Sequence, residues 1–538
     1  MQGFSQTCDQ IAASTRRLEK ERILSEYLLS LNDEDLAIAV TFFTGSPFSL
    51  RDQRITNTGF AALRDVLCEI DPRAEEFLGP LLLRTGDLGA AVEQLFSTRV
   101  GQPCLTLVKV KVYFDSLAKA SRNLQKREIT RAILLRATPA EAKYIIKILF
   151  GDMRIGLQES LVESSMARAF KQDLTKIQFA NMLLGDIGES ALLARHNNLE
   201  SAQMRLLHPI KPMLASPEES TEKILQYMKG QGFAEDKYDG LRAQIHKERE
   251  ESKIYSRDLD DITSSFPEVI NAIRSIQQSF LMDGEIVPYR DGRILGFGLL
   301  QKRLGRKTVS GEMLESIPCR YFAFDLLYHG EALLLNEPLR RRRSRLEKLQ
   351  QEHPDAFFLA EQRPVQTVQQ LEKAFEEARA RNNEGLVIKD PDSVYVPGKR
   401  GKSWLKLKRA MLTLDVVVTL AQYGNGKRAG LLSDYTFAVK DNERLLTIGK
   451  AYSGVTDREV AQLSELFQNI SLADHGFYHV VPPQVVLEVT FDRINKSNRH
   501  SSGYALRFPR IKRIRWDKNS DQIDTLETVN NLYNTHFK

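Results

Sequence analysis

A change of texture near residue 205 constrains this chain more than any other feature. Before it, glycine and proline are sparse, and Tyr144, Ile145, Ile148 and Leu149 follow one helical stripe. Residues 1 to about 205 are therefore expected to be helical throughout. His208-Pro209-Ile210-Lys211-Pro212 is an extended entry segment, because each proline disfavours helix in the residue before it. From about 232 to 410, short β-like runs alternate with helices; Leu281–Val287, Tyr321–Leu327 and Gly385–Lys389 are examples. Beyond about 411, Leu414–Leu420 opens a β-rich tail with turn signals at Tyr423-Gly424-Asn425-Gly426. A chain of 538 residues is too long for one core. The pattern predicts an all-α domain over 1–205, an α+β domain over 206–410 and a small OB-fold β-barrel over 411–538. No internal repeat or low-complexity linker interrupts them.

The net charge of +6 is mild, but Lys399–Arg409 and Arg493–Lys518 are basic tracts with little acid. Local tracts of this kind suit phosphate backbones, with solvated faces as the competing reading. Cys8, Cys68, Cys104 and Cys319 are far apart, which excludes a zinc finger or a disulfide scaffold and points to a reducing compartment. No run spans a bilayer and no signal-like apolar segment follows a basic start. The expectation is a cytoplasmic protein, nucleoid-associated if prokaryotic.

Glu235-Asp236-Lys237-Tyr238-Asp239-Gly240-Leu241-Arg242 reads as a nucleotidyl-transfer site with Lys237 as nucleophile. A lysine amine has a reference pKa near 10.4, so making it reactive at pH 7 costs about 4–5 kcal/mol. Neighbouring cations, a metal or desolvation must offset that cost. Further elements follow in order: Ser256-Arg257-Asp258, Asp283–Val287, Tyr321–Tyr328, Glu384–Lys389, Trp404–Lys408 and Arg507–Lys518. Glu285 and Glu384 are acids embedded in apolar β-like runs, where a carboxylate is costly unless paired or metal-bound.

This ordered set resembles the ATP-dependent DNA ligases, replicative-type members of the lysine-dependent nucleotidyltransferases. Phe297–Lys307 and Tyr395–Arg400 resemble connecting segments of that family, and residues 141–170 its helical DNA-binding domain. The resemblance implies that 1–205 binds DNA, 206–410 is the adenylation domain and 411–538 the OB domain. It implies a lysyl-AMP on Lys237, transfer of AMP to the 5′-phosphate of a nick, and sealing by the 3′-hydroxyl. Glu235 would sense the adenine edge, Phe324 would stack on the base, and Arg242 and Arg257 would contact ribose and the 5′-phosphate region. A core phenylalanine and surface arginines are the competing readings. Lys389, Lys406 and Lys408 would surround the phosphates, and Glu285 and Glu384 would bind Mg²⁺, with Mn²⁺ as an alternative. Arg513, Arg515 and Lys518 would close over the nucleotide about a hinge near Lys408–Leu412. Arg154, Arg257, Lys399 and Arg400 would meet DNA.

The implied partner is nicked duplex DNA, in replication, repair or recombination, bound by a monomer. A sliding clamp stays open as a partner, with no clear binding peptide at the termini. The compact form is that of prokaryotic members. NAD⁺-dependent ligases, RNA ligases and capping enzymes share the core, but lack either this cysteine pattern or the helical first domain. A DNA-binding protein with a vestigial nucleotide site is the rival of another class. Arg340–Arg343 with Arg345 reads as a solvated helix face. His475 and His479 lack the ligands for zinc, and Gly424–Lys427 is a turn rather than a phosphate loop. Asn32 is expected to cap a helix. Asp258 stands where many relatives carry asparagine.

Overall fold

The computed structural model describes the chain except residues 100–103, 305, 307, 382, 408–411 and 537–538, and the side chains of residues 427 and 536. The chain forms two compact units: Met1–Leu63, Pro103–Ala137 and Lys147–Arg409, and Arg64–Gln102, Thr138–Ile146 and Ala410–Lys538. Among the described residues, those from Gln2 to Arg195 are built from α-helices with no strand. Asn32 caps the helix Asp33–Phe43 by accepting from the Asp35 N–H at 2.8 Å. Phe4, Phe42, Phe43 and Phe114 form an aromatic core of the first unit. No helix among the described residues is long and apolar enough to cross a membrane.

Two antiparallel-rich sheets position the site. The first has the strand order Leu214–Glu218, Arg400–Leu407, Gly385–Lys389, Gly232–Lys237 and Gln362–Val365. The second runs Glu251–Ser256, Leu241–Glu248, Phe280–Arg290, Cys319–His329 and Ala332–Leu333. Alternation along each strand sorts core from site. In the first sheet Ala234, Leu386, Ile388, Leu405 and Leu407 pack with Leu371 and Phe375 of the helix Val368–Ala380. The residues between them, Glu235, Lys237, Val387, Lys389, Trp404 and Lys406, are left on the opposite face. Cross-strand pairing of Glu235 with Val387, and of Val387 with Lys406, aligns them. In the second sheet Ala243, Ile245, Met282 and Ile286 are core, leaving Arg242, Asp283 and Glu285 for the other face.

The arginine-rich helix corrects one expectation. In Leu339–Glu352, Arg340 and Arg341 are exposed, but Arg342 is 0% and Arg343 7% accessible. Arg342 forms a wholly buried bidentate pair with Asp325, at 2.7 and 2.9 Å, and donates to the Ser393 carbonyl at 3.0 Å. An acid on another element, 17 positions away and invisible to a charge-pattern argument along the helix, draws this arginine inward.

In the second unit the long strand Leu412–Tyr423 pairs with Leu432–Asp441 along one edge and with Val486–Phe491 and Tyr478–Val480 along the other. Its register breaks between Val418 and Leu420. Leu414, Val416, Val418, Tyr435, Phe437 and Leu487 share a core with Val460, Leu463 and Phe467 of the capped helix Asp457–Asn469. This is the strand-rich, OB-type domain that the alternating tail predicts.

Candidate active site

Lys237 ends its strand on the face turned away from the helix-side core. Its ammonium lies 2.5 Å from Glu384 Oε2, and the Glu384 N–H donates to the Lys237 carbonyl at 2.9 Å. The next turn needs a glycine. A Cβ on Gly240 would lie 2.6 Å from the Ile286 carbonyl oxygen and 2.8 Å from Glu285 Cγ. The missing side chain lets the Lys-x-Asp-Gly turn rest against the strand that carries Glu285.

Beside it, Lys389 and Glu235 form a pair at 2.5 Å, with side chains 2% and 3% exposed. Gln362 Nε2 donates to the other Glu235 oxygen at 2.9 Å. The Lys389 ammonium lies 4.2 Å from the ring centroids of both Phe324 and Trp404, which themselves meet edge-to-face. Burial pulls this lysine below its usual range, against the pull of Glu235. The resemblance gave Glu235 and Lys389 to opposite ends of a nucleotide, base and phosphate; here they are one pair.

Arg242 holds Asp283 bidentately at 3.1 and 2.7 Å and donates to the Met213 carbonyl at 2.7 Å. Burial opposes the charge on Arg242, but Asp283 more than restores it, so the guanidinium stays above its ordinary range. The Tyr395 hydroxyl donates to Asp283 at 2.7 Å. Asp283 faces Asp325 across adjacent strands, an unfavourable pairing that Arg242 and Arg342 each neutralise from one side. Glu285, half-buried opposite Arg242, is pushed up to about 8, first by burial and then by Glu384 and Asp283, against Lys237 and Arg242.

Most of the other predicted residues lie elsewhere. Lys406 is half-buried on the Lys389 face, and Lys408 lies outside the described residues, as does most of the expected hinge. Arg257 is exposed just past the strand Glu251–Ser256, and Lys399 and Arg400 are exposed where the strand Arg400–Leu407 begins. Arg154 has a left-handed backbone, φ 47°, and its Nε reaches Asp152 at 2.6 Å. In the second unit Arg513 pairs with Glu488 at 2.6 Å, and Arg515 and Lys518 pair with Asp415. Sequence reasoning missed Gln362, Arg342, Tyr395 and Trp404 as site-shaping residues. Trp404 and Tyr395 had a signal, their places in the run that ends at Lys408 and in the segment Tyr395–Arg400.

Among the described residues no group of three or more His, Cys, Asp and Glu side chains is arranged around a metal. Two carboxylates near Lys237, Glu285 and Glu384, are nevertheless a suitable donor set for a hard divalent ion that takes its remaining ligands from water and phosphate. Burial and the neighbouring Glu384 and Asp283 disfavour the Glu285 anion, a cost that a bound divalent ion would offset.

Comparison with known proteins agrees over most of the chain. Residues 212–408 match the ATP dependent DNA ligase domain, residues 1–167 the DNA ligase N terminus, and residues 428–518 the ATP dependent DNA ligase C terminal region. A "Probable DNA ligase" from Koribacter versatilis is 44% identical over 560 residues, covering 100% of this chain and 97% of that protein. A "DNA ligase" from Archaeoglobus fulgidus is 34% identical over 550 residues, covering 99% and 98%. A solved structure titled "Pmar-Lig_PreS3" shares the fold with a TM-score of 0.64 at 17% identity, covering 95% of this chain and 99% of that one. The chain belongs to the ATP-dependent DNA ligase family.

Proposed function

We propose that the face shared by the two sheets is the adenylation site of this ligase, with Lys237 as its nucleophile. The Lys237 amine attacks the α-phosphorus of ATP, a P–N bond forms, the bond to the β-phosphate oxygen breaks and pyrophosphate leaves. AMP then passes to the 5′-phosphate of a nick, restoring the lysine. The 3′-hydroxyl attacks that activated phosphate, joining the strand and releasing AMP. Reactions of this class depend on positioning and on fixed positive charge around the phosphates.

The observation that carries the reading is the convergence of Lys237, Glu384, Glu235, Lys389 and Lys406 on one sheet face, with Arg242, Glu285 and Phe324 presented by the other sheet. Mg²⁺, or Mn²⁺ in its place, held by Glu285 and Glu384, would neutralise phosphate charge. With Glu384 engaged by such an ion, the Lys237 side chain would be released from its ion pair for attack on the phosphate. Glu235 accepts from the adenine amino group and repels the guanine oxygen, Phe324 supports the base, and Arg242 binds ribose. Lys406 and Lys408, then Arg513, Arg515 and Lys518, hold the polyphosphate. Arg154, Arg257, Lys399 and Arg400 contact DNA. Domains 1–205, 206–410 and 411–538 divide DNA binding, adenylation and motif closure among a monomer that works in the cytoplasm on nicked duplex.

The test is sealing of a 5′-phosphorylated nick with ATP, GTP or NAD⁺, beside the Lys237→Ala protein. Sealing with ATP alone, lost in the variant, is expected. Equal sealing by GTP or NAD⁺, or sealing by the variant, would contradict the assignment.

A further inference from the structure

The basic motif of the second unit is engaged by acids of its own unit. Arg515 Nη1 donates to both oxygens of Asp415, at 3.3 and 3.2 Å, and Lys518 Nζ donates to Asp415 Oδ2 at 2.6 Å. Arg515 also holds Asp517 bidentately at 2.9 and 2.7 Å. Asp415 is itself fixed. Its N–H donates to Asp524 Oδ2 at 2.7 Å, and its carbonyl accepts from the Asp524 N–H at 2.8 Å. Directly across the sheet stands Glu488, which takes Lys512 at 2.8 Å and Arg513 at 2.6 Å. Two facing acids thus hold four cations.

We propose that Asp415 is a positioning residue of the basic motif. It occupies Arg515 and Lys518 between turnovers, and the adenylation step exchanges Asp415 for phosphate oxygens of ATP. This rests on the proposed role of Arg515 and Lys518 toward the nucleotide. A carboxylate and a phosphate are alternative partners for the same N–H donors. The exchange is feasible because these pairs are only partly buried: Asp415 and Arg515 are each 14% exposed and Lys518 27%. A partly exposed pair holds weakly enough to open and close within a catalytic cycle. When pyrophosphate leaves, the same carboxylate takes the cations back.

The test follows single-turnover formation of the enzyme–adenylate from ATP, and separately the sealing of a pre-adenylated nick, in the full chain. Asp415→Asn should raise the adenylation rate about twofold to fivefold, the upper part of the range expected for losing one partly exposed ion pair. It should not raise the sealing of a pre-adenylated nick, and Asp415→Glu should keep the native adenylation rate. Asp517→Asn, at a side chain 66% exposed and thus safe for folding, should shift adenylation in the same direction by less. An unchanged or slower adenylation in folded Asp415→Asn and Asp517→Asn would overturn the proposal. Arg515→Ala and Lys518→Ala test the reading beneath it. If both adenylate at the native rate, the motif has no role toward ATP and the proposal falls with that role; if both are slow while Asp415→Asn is unchanged, only the proposal falls.

Discussion

The two-sheet site and the basic motif of the second unit are both built from ion pairs, and they differ in what surrounds those pairs. In the first, Arg342 and Asp325 are both 0% exposed, and Lys389 and Glu235 are nearly as dry. In the second, Arg513 remains 62% exposed while it holds Glu488. A buried pair cannot open without stranding a charge, so it fixes the residues around it. An exposed pair trades partners at little cost. In the proposed reading, the first set stays put beneath base and metal, and the second acts in one step and withdraws.

The contrast can be broken most severely at the nucleophile. Lys237→Ala should abolish covalent labelling by ATP while leaving the melting temperature near native, since its ammonium is only partly buried. Next, Arg342→Met should cost about 3–5 kcal/mol in denaturant unfolding, because Asp325 is left buried and unpaired. Adding Asp325→Leu should recover part of that loss. A mild effect of Arg342→Met would show that the buried pair is not the anchor described here. Glu235→Gln should then narrow the preference for ATP over GTP by about 1.5–3 kcal/mol in kcat/KM, the usual worth of a hydrogen bond to a charged group.

Acid sharpens the comparison through two histidines. His208 and His246 are buried, His246 lying edge-on to Tyr255, and burial lowers both below the ordinary imidazole range, with nearby positive charge adding to the effect. The unfolded rings bind protons near pH 6.5 and the folded ones only at lower pH. Stability from this source is therefore complete above about 6.5 and lost as the pH falls, by up to about 1.4 kcal/mol per unit for each ring. Melts between pH 7.5 and 5 should show the loss, and His246→Phe should reduce its slope. The smallest effect is expected at the exposed cluster, where Arg513→Ala should change stability by less than about 1 kcal/mol.

Local pattern carried much of this into the sequence. The run Gly385–Lys389 is a strand with those bounds, and the two-residue spacing of Glu235 and Lys237 does place both on one face. What stayed hidden depends on partners carried by other elements. Gln362 reaches Glu235 across 127 positions, and no periodicity announces it. Arg342 looked solvated because its neighbours Arg340 and Arg341 are; the acid that buries it lies on another element. Lys389 is read toward phosphate by its place in a motif, while its contacts with Phe324, Trp404 and Glu235 arise only when two sheets are brought together.

In the proposed reaction one lysine between these sheets takes the nucleotide. Native protein incubated with ATP and Mg²⁺, then digested and mapped by mass spectrometry, measures it directly. One AMP per chain is expected on the peptide carrying Lys237, discharged by pyrophosphate. AMP on any other residue, or none on folded protein that still binds nicked DNA, would contradict it.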